Sequence, residues 1–198
     1  VSRLAFDVDG VFANFNVAFI ERVKEVTGKD LFGPSPVVIT TWDYPQTFGY
    51  STRDLTAVWQ NIEADGQFWA MLPPYEDASR YLTRIHDQCA MDDVYFITSR
   101  PGYNAKAQTE AWLMIWGGFI APTVLISSNK GECCHALNID AYIDDRDKNV
   151  FDVRSISPKT RTFLQDQPWN RNDYAYDQRM KGVERVYSVG EMLNALGR

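Results

Sequence analysis

The sequence predicts an α/β fold in three layers: a central parallel sheet covered on both faces by helices, with a small, mainly helical segment inserted after the first strand. Three observations carry this. Short apolar runs of strand length recur at wide intervals, amphipathic helical patterns lie between them, and the stretch from about Asn14 to Leu72 breaks the alternation.

The first strand is read at Leu4 to Phe6. The inserted stretch opens on a helix with Phe19, Val23 and Val26 on one face and Gly28 as its stop. It continues through a Pro-, Gly- and aromatic-rich region that ends at Pro73-Pro74. Ten of the 27 aromatic residues fall in this insertion, more than a small helical subdomain needs for its own packing, so some are expected to line a ligand pocket. The alternating pattern then resumes. A helix carries Ala78, Tyr81, Leu82, Ile85 and Cys89, and a strand follows at Val94 to Ile97. A second helix carries Ala107, Ala111, Met114 and Ile115 and stops at Gly117-Gly118. Further strands are read at Val124 to Ile126, Ala141 to Ile143 and Thr162 to Leu164. A polar loop is expected from Gln165 to Asp177, with Tyr174 and Tyr176 in it, and a last amphipathic turn around Met192, Leu193 and Leu196. The expected domains are a core of residues 1–14 and 73–198 and a cap of residues 15–72.

Composition excludes several classes. Hydrophobic residues make up 45% and charged residues 23% of 198, which is globular rather than disordered or fibrous. A formal net charge of −6 disfavours binding of duplex nucleic acid through phosphate neutralisation. No apolar run approaches the roughly 20 residues of a membrane helix, and Asp7 interrupts any signal-like start. The three cysteines form no spaced framework, as an intracellular chain allows. A soluble, cytoplasmic protein is the expectation.

The strongest chemical signal is Asp7-Val8-Asp9-Gly10 directly after the first strand. Side chains at i and i+2 of extended chain point the same way, so the two carboxylates converge, and they repel unless a cation or shared proton offsets them. A hard cation such as Mg2+ suits such oxygen ligands. Three later features also follow strands: Thr98-Ser99-Arg100, Lys130, and Asp144-Asp145. In an open parallel sheet the carboxyl ends of the strands share one crevice, so these groups can meet there. They supply acids for a metal, a hydroxyl and an amine for phosphate oxygens, and a carboxylate nucleophile. Other candidates are weaker. Cys133-Cys134-His135 lacks zinc-ligand spacing and reads better as a packed helix behind Lys130. His86 falls on the polar side of its helix, and no P-loop or dinucleotide fingerprint is present.

These four features, in this order, resemble the four motifs of the haloacid dehalogenase superfamily of phosphohydrolases and span most of the chain. The resemblance implies a Rossmann-like core, with Asp7 as nucleophile and Asp9 as general acid and base. Thr98 and Lys130 would hold the transferring phosphoryl group. Mg2+ would be bound by Asp7, the backbone carbonyl of Asp9 and one of Asp144 and Asp145, the choice between the last two remaining open.

Within the superfamily, Asp7 to Phe15 and Phe68-Trp69-Ala70-Met71-Leu72-Pro73-Pro74 resemble the opening segment and the end of the cap of the 5'(3')-deoxyribonucleotidases. That implies a nucleoside monophosphate as substrate, its base stacked on cap aromatics; by position these are Phe15, Trp42 and Trp59. Two departures stand out. Thr109 occupies the place of a phosphate-side lysine, for which Lys106 could compensate, and Arg100 has no counterpart in the family. Ser99 and Arg100 are carried as phosphate contacts, Arg100 alternatively as a bridge to acids at the sheet edge. The expected partner is a small phosphorylated substrate, with no duplex nucleic acid and no membrane; a homodimer is left open. The rival readings are a phosphatase for sugar phosphates or other small phosphoesters, and a catalytically silent phospholigand-binding module.

Overall fold

The computed structural model describes residues 2–33, 38–90, 93–171 and 181–198. Its centre is a six-stranded sheet, all parallel, built from β1 (Leu4–Phe6), β2 (Val94–Thr98), β3 (Thr123–Ile126), β4 (Ala141–Asp144), β5 (Arg161–Gln165) and β6 (Glu184–Val186) in the order β3-β2-β1-β4-β5-β6. Every residue of β1, β2 and β4 is buried, as continuous apolar runs in a doubly covered parallel sheet must be. β6 escapes a reading from sequence because it is a three-residue edge strand that opens with Glu184-Arg185.

Alternation along the strands divides the core into two faces. Leu4, Phe6, Phe96 and Ile143 pack on one face with Leu82 and Ile85 of α4 (Ala78–Gln88), Trp112 and Leu113 of α5 (Ala105–Gly117), and Met192 and Leu193 of α8 (Val189–Ala195). Ala5, Tyr95, Ile97 and Tyr142 pack on the other with Cys134 of α6 (Lys130–Ala136) and Val153 of α7 (Asp147–Ile156). The three expected layers follow. Cys134 is buried in the second of these clusters, the packed-helix alternative to a zinc ligand.

The insertion carries α1 (Phe15–Thr27), α2 (Tyr44–Thr47) and α3 (Thr52–Ala64). Gly28 caps α1. α3 begins on a capping box in which the Ser51 hydroxyl accepts from Asp54 N while the Asp54 carboxylate accepts from Ser51 N. Phe19 and Val23 of α1 and Leu55, Val58 and Ile62 of α3 join the same apolar cluster as Phe6. The polar loop expected from Gln165 begins later than read: Gln165 is the last residue of β5, and a 3-10 turn spans Pro168–Asn170. Tyr174 and Tyr176 lie outside the described residues. None of the helices described is long and apolar enough to cross a membrane.

The strand order fixes where a site forms. From β1 the chain crosses to β2 and β3 on one side and later returns to β4 on the other, so a crevice opens at the carboxyl ends of β1 and β4. Phe6, the last residue of β1, pairs with both Phe96 and Ile143, so β2 runs two residues and β4 one residue beyond it.

Candidate active site

Asp7 leaves β1 with its backbone N–H still bonded to Ile143 O at 2.9 Å. The chain then folds back tightly: Phe12 N and Ala13 N both donate to Val8 O, and Gly10 N donates to Ala13 O, each at 2.9 Å. Gly10 makes this turn feasible twice over. Its φ is +78°, and a Cβ there would lie 1.9 Å from Asp145 Oδ2. The close approach of Gly10 brings the opening turn against the acidic pair of β4, 135 residues later in the chain.

Lys130, the first residue of α6, lies between these segments, its Nζ 2.8 Å from Asp7 Oδ1 and 2.8 Å from Asp144 Oδ2. Asp144 is saturated. It accepts from Lys130, from the Tyr142 hydroxyl, from Arg146 N at 2.8 Å and from Asn149 Nδ2 at 3.0 Å. Asp145 is different: Oδ2 accepts from Trp169 Nε1 at 3.0 Å, while Oδ1 is buried with no hydrogen-bond partner. The two adjacent acids, indistinguishable in sequence, thus have different surroundings: Asp144 holds the lysine, and Asp145 keeps an open oxygen.

Asp7, Asp144 and Asp145 each offer an oxygen within 4.8 Å of the others, and all three are buried. One lysine cannot balance them. Burial, then the charges of Asp144 and Asp9, push the Asp7 carboxyl up to about 7 against the pull of Lys130. Burial and the neighbouring Asp144 and Asp7 hold Asp145 well above the usual carboxylate range. Burial works against the charge on Lys130, but its pairs with Asp144 and Asp7 prevail and keep it ionised. The site is therefore short of positive charge, its donors are hard oxygens, and among the described residues two of them, Asp7 Oδ1 and Asp145 Oδ1, accept no hydrogen bond. These residues fit Mg2+.

Asp9 stands on the other side of the turn. Arg100 forks it, Nη2 to Oδ1 at 2.8 Å and Nε to Oδ2 at 3.0 Å, and Thr98 Oγ1 donates to Oδ2 at 3.3 Å. The Ser99 hydroxyl donates instead to Ser127 O at 3.0 Å, although Ser99 lines the cavity. One cavity joins these groups: Asp7, Asp9, Thr98, Arg100, Lys130 and Asp145 all border it.

Its apolar wall contains the three aromatics expected from the insertion, Phe15, Trp42 and Trp59. Phe15 is packed among Phe19, Trp59, Phe68 and Trp69, with ring centroids 5.2 to 6.4 Å away. Trp42 takes the Arg146 guanidinium over its ring at 4.5 Å and the edge of Trp169 at 5.5 Å, and its buried Nε1 has no partner among the described residues. Lys106 does not join them. It pairs with Glu110 on the exposed side of α5, while Thr109, the residue it was to compensate, is buried and accepts a hydrogen bond from Arg100 Nη1 at 3.0 Å. Sequence reading missed Trp69, Asn149 and Trp169 as parts of the site. Of these, Trp169 carried a signal: it follows a strand and so belongs to the same crevice edge.

The model of the family described as 5' nucleotidase, deoxy (pyrimidine), cytosolic type C (NT5C) matches residues 1–193. The chain belongs to this family. It is thus a phosphoric monoester hydrolase of the haloacid dehalogenase superfamily. No curated protein sequence matches it. Among solved structures, a haloacid dehalogenase-like hydrolase from Streptococcus pneumoniae is similar over 99% of this chain and 98% of its own, with 12% identity and a TM-score of 0.66. A hydrolase from Pseudomonas syringae is similar over 100% and 98%, with 13% identity and a TM-score of 0.56. At such identities the likeness concerns the fold, and it reaches from end to end of the chain.

Proposed function

We propose that this NT5C-family protein dephosphorylates nucleoside monophosphates through an aspartyl-phosphate on Asp7, with Mg2+ as cofactor and residues 15–72 as the cap over a core of 1–14 and 73–198. The observation that carries the reading is the meeting of Asp7, Lys130 and Asp145, from three distant segments, at the floor of one aromatic-walled cavity.

In the first step an oxygen of Asp7 attacks phosphorus, the bond to the ester oxygen breaks, and Asp9 gives its proton to the departing alkoxide. In the second, Asp9 takes a proton from water, the water oxygen attacks the phosphoryl group, and Asp7 leaves as a carboxylate with phosphate as product. Lys130 holds the non-bridging oxygens through both displacements, while the one hydroxyl proton of Thr98 stays on Asp9 Oδ2. Asp144 anchors Lys130 so that its ammonium stays beside Asp7. Asp7, the carbonyl of Asp9 and Asp145 would hold Mg2+; Asp144, with its oxygens already taken, would not. When bound, the ion supplies the positive charge that keeps Asp7 ionised and lets it approach a phosphate dianion.

Trp42, with an unpartnered indole N–H in the cavity wall, supports a ligand that carries both a ring and hydrogen-bond acceptors, as a nucleobase does. The test is release of phosphate in the presence of Mg2+ from a panel of nucleoside monophosphates and sugar phosphates. The expected result is preference for the nucleotides and loss of turnover in Asp7→Asn. Equal rates on sugar phosphates would overturn the substrate class, and full activity of Asp7→Asn would overturn the mechanism.

A further inference from the structure

The Arg100 side chain has no exposed surface, and all three of its nitrogens are committed. Nε and Nη2 fork the Asp9 carboxylate, and Nη1 donates to Thr109 Oγ1. Thr109 in turn donates to Ala105 O at 2.7 Å, so its hydroxyl can only accept from the arginine and is fixed in that sense by α5. The guanidinium also lies 5.1 Å from the centre of the Trp69 ring. Trp69 is itself pinned, its backbone N–H donating to Gln108 Oε1 at 2.8 Å and its indole N–H to Pro101 O at 3.1 Å. A planar fork held on its carboxylate, hydroxyl and aromatic sides cannot swing to a phosphate without leaving Asp9 unpaired. Among the described residues Arg100 is the cation that Asp9 pairs with.

The arrangement also distinguishes the two oxygens of Asp9. Oδ2 accepts from both Arg100 Nε and Thr98 Oγ1, which uses both of its lone pairs. Among the described residues Oδ1 accepts only from Arg100 Nη2 and keeps one lone pair. Asp9 is 23% exposed at its side chain and borders the cavity.

We propose that Arg100, braced by Thr109 and Trp69, is the positioning residue of this enzyme: it fixes the plane of the Asp9 carboxylate so that Oδ1 faces the ester oxygen of the substrate and passes it the proton. The inference rests on the phosphohydrolase reading above and deepens it, replacing a phosphate contact at Arg100 with control of the departing group. Only a fork can impose this geometry, so the point charge of a lysine does not substitute for it.

The experiment compares wild-type protein, Arg100→Lys and Thr109→Val on a series of alkyl and aryl phosphates of decreasing leaving-group basicity, with Mg2+. The readout is kcat/KM, which reports the chemistry up to departure of the leaving group and not the later hydrolysis of the aspartyl-phosphate. Misplacing Asp9 should lower kcat/KM of Arg100→Lys by about 100-fold on alkyl esters, whose alkoxides need a proton. On p-nitrophenyl phosphate, whose phenolate leaves without one, the loss should stay below about 5-fold. Thr109→Val keeps the core volume and should show the same bias at about 10-fold. Inhibition by inorganic phosphate should be unchanged in both. An equal loss on alkyl and aryl esters, together with weaker phosphate inhibition, would overturn the proposal and make Arg100 a phosphate ligand. A bias that Arg100→Lys lacks altogether would overturn it as well. Failure of the wild-type protein to hydrolyse any member of the series would instead refute the phosphohydrolase reading itself.

Discussion

Replacing Lys130 by methionine removes the side-chain cation that, among the described residues, pairs with Asp7 and Asp144, while keeping most of the side-chain volume. Lys130 is 1% exposed and lies 2.8 Å from each carboxylate, so its loss leaves three buried acids within 4.8 Å of one another. Breaking a buried ion pair from one side costs about 3 to 5 kcal/mol, because the remaining charge is left uncompensated. For a chain of this size each kcal/mol lowers the melting temperature by about 2 to 4 °C, so a drop of roughly 6 to 20 °C is expected. The pH dependence gives the prediction its sign. A carboxyl held above its unfolded value binds its proton more tightly in the folded state, so it favours folding at low pH, and the contribution is lost as pH rises through the folded value. In the wild-type protein without metal, Asp7 places that loss between its ordinary 3.8 and about 7. Without Lys130 the carboxyl is pushed higher, the decline continues to higher pH, and the gap between variant and wild type is wider at pH 8 than at pH 5. Differential scanning calorimetry at the two pH values, with EDTA and then with Mg2+, reads all of this, and Mg2+ should narrow the gap. A variant melting within about 2 °C of wild type, or a gap that pH does not change, would show that Lys130 does not offset the buried acids.

Three further outcomes follow from the same geometry. Mg2+ at about 100 times its Kd should stabilise the wild-type protein by about 2.7 kcal/mol; in calorimetry Asp145→Asn should lose most of that gain, whereas retention would return the metal to Asp144. Gly10→Ala, which forces a Cβ to within 1.9 Å of Asp145 Oδ2 at a φ of +78°, should abolish both Mg2+ stabilisation and turnover; wild-type behaviour would contradict the packing of the opening turn. Trp42→Ala should raise KM for nucleoside monophosphates by about 10- to 100-fold, the worth of one aromatic contact to a base, and leave KM for small sugar phosphates unchanged; equal effects would assign Trp42 to packing.

Much of this site was legible in the sequence because parallel strands announce themselves twice, as apolar runs and as the polar residues that follow them. Leu4 to Phe6 matches β1 residue for residue, and Asp7, Thr98, Lys130 and Asp144 come together because each lies at or just beyond the carboxyl end of a strand or begins the helix after it. What stayed hidden depends on distances between segments. Asp144 and Asp145 differ only in what surrounds them, the one ringed by Lys130, Tyr142 and Asn149, the other facing Trp169. Lys106 was placed by its spacing from Thr109, but its side chain lies exposed, where Glu110 pairs with it, and the buried cation near Thr109 is Arg100. β6 was invisible because edge position removes the apolar alternation on which strand reading relies. The aromatic wall was anticipated in composition, yet the crowding of Phe15 by four other rings and the contact of Trp42 with Arg146 needed coordinates.

Catalysis turns on the carboxylate of Asp7 taking up the phosphoryl group. Quenching a reaction with acid during turnover, digesting the protein and locating phosphate by mass spectrometry tests it most directly. A phosphorylated peptide carrying Asp7, formed only with Mg2+ and lost when unlabelled substrate is chased through, is the predicted result. Turnover with no such adduct, or an adduct on any other residue, would contradict it.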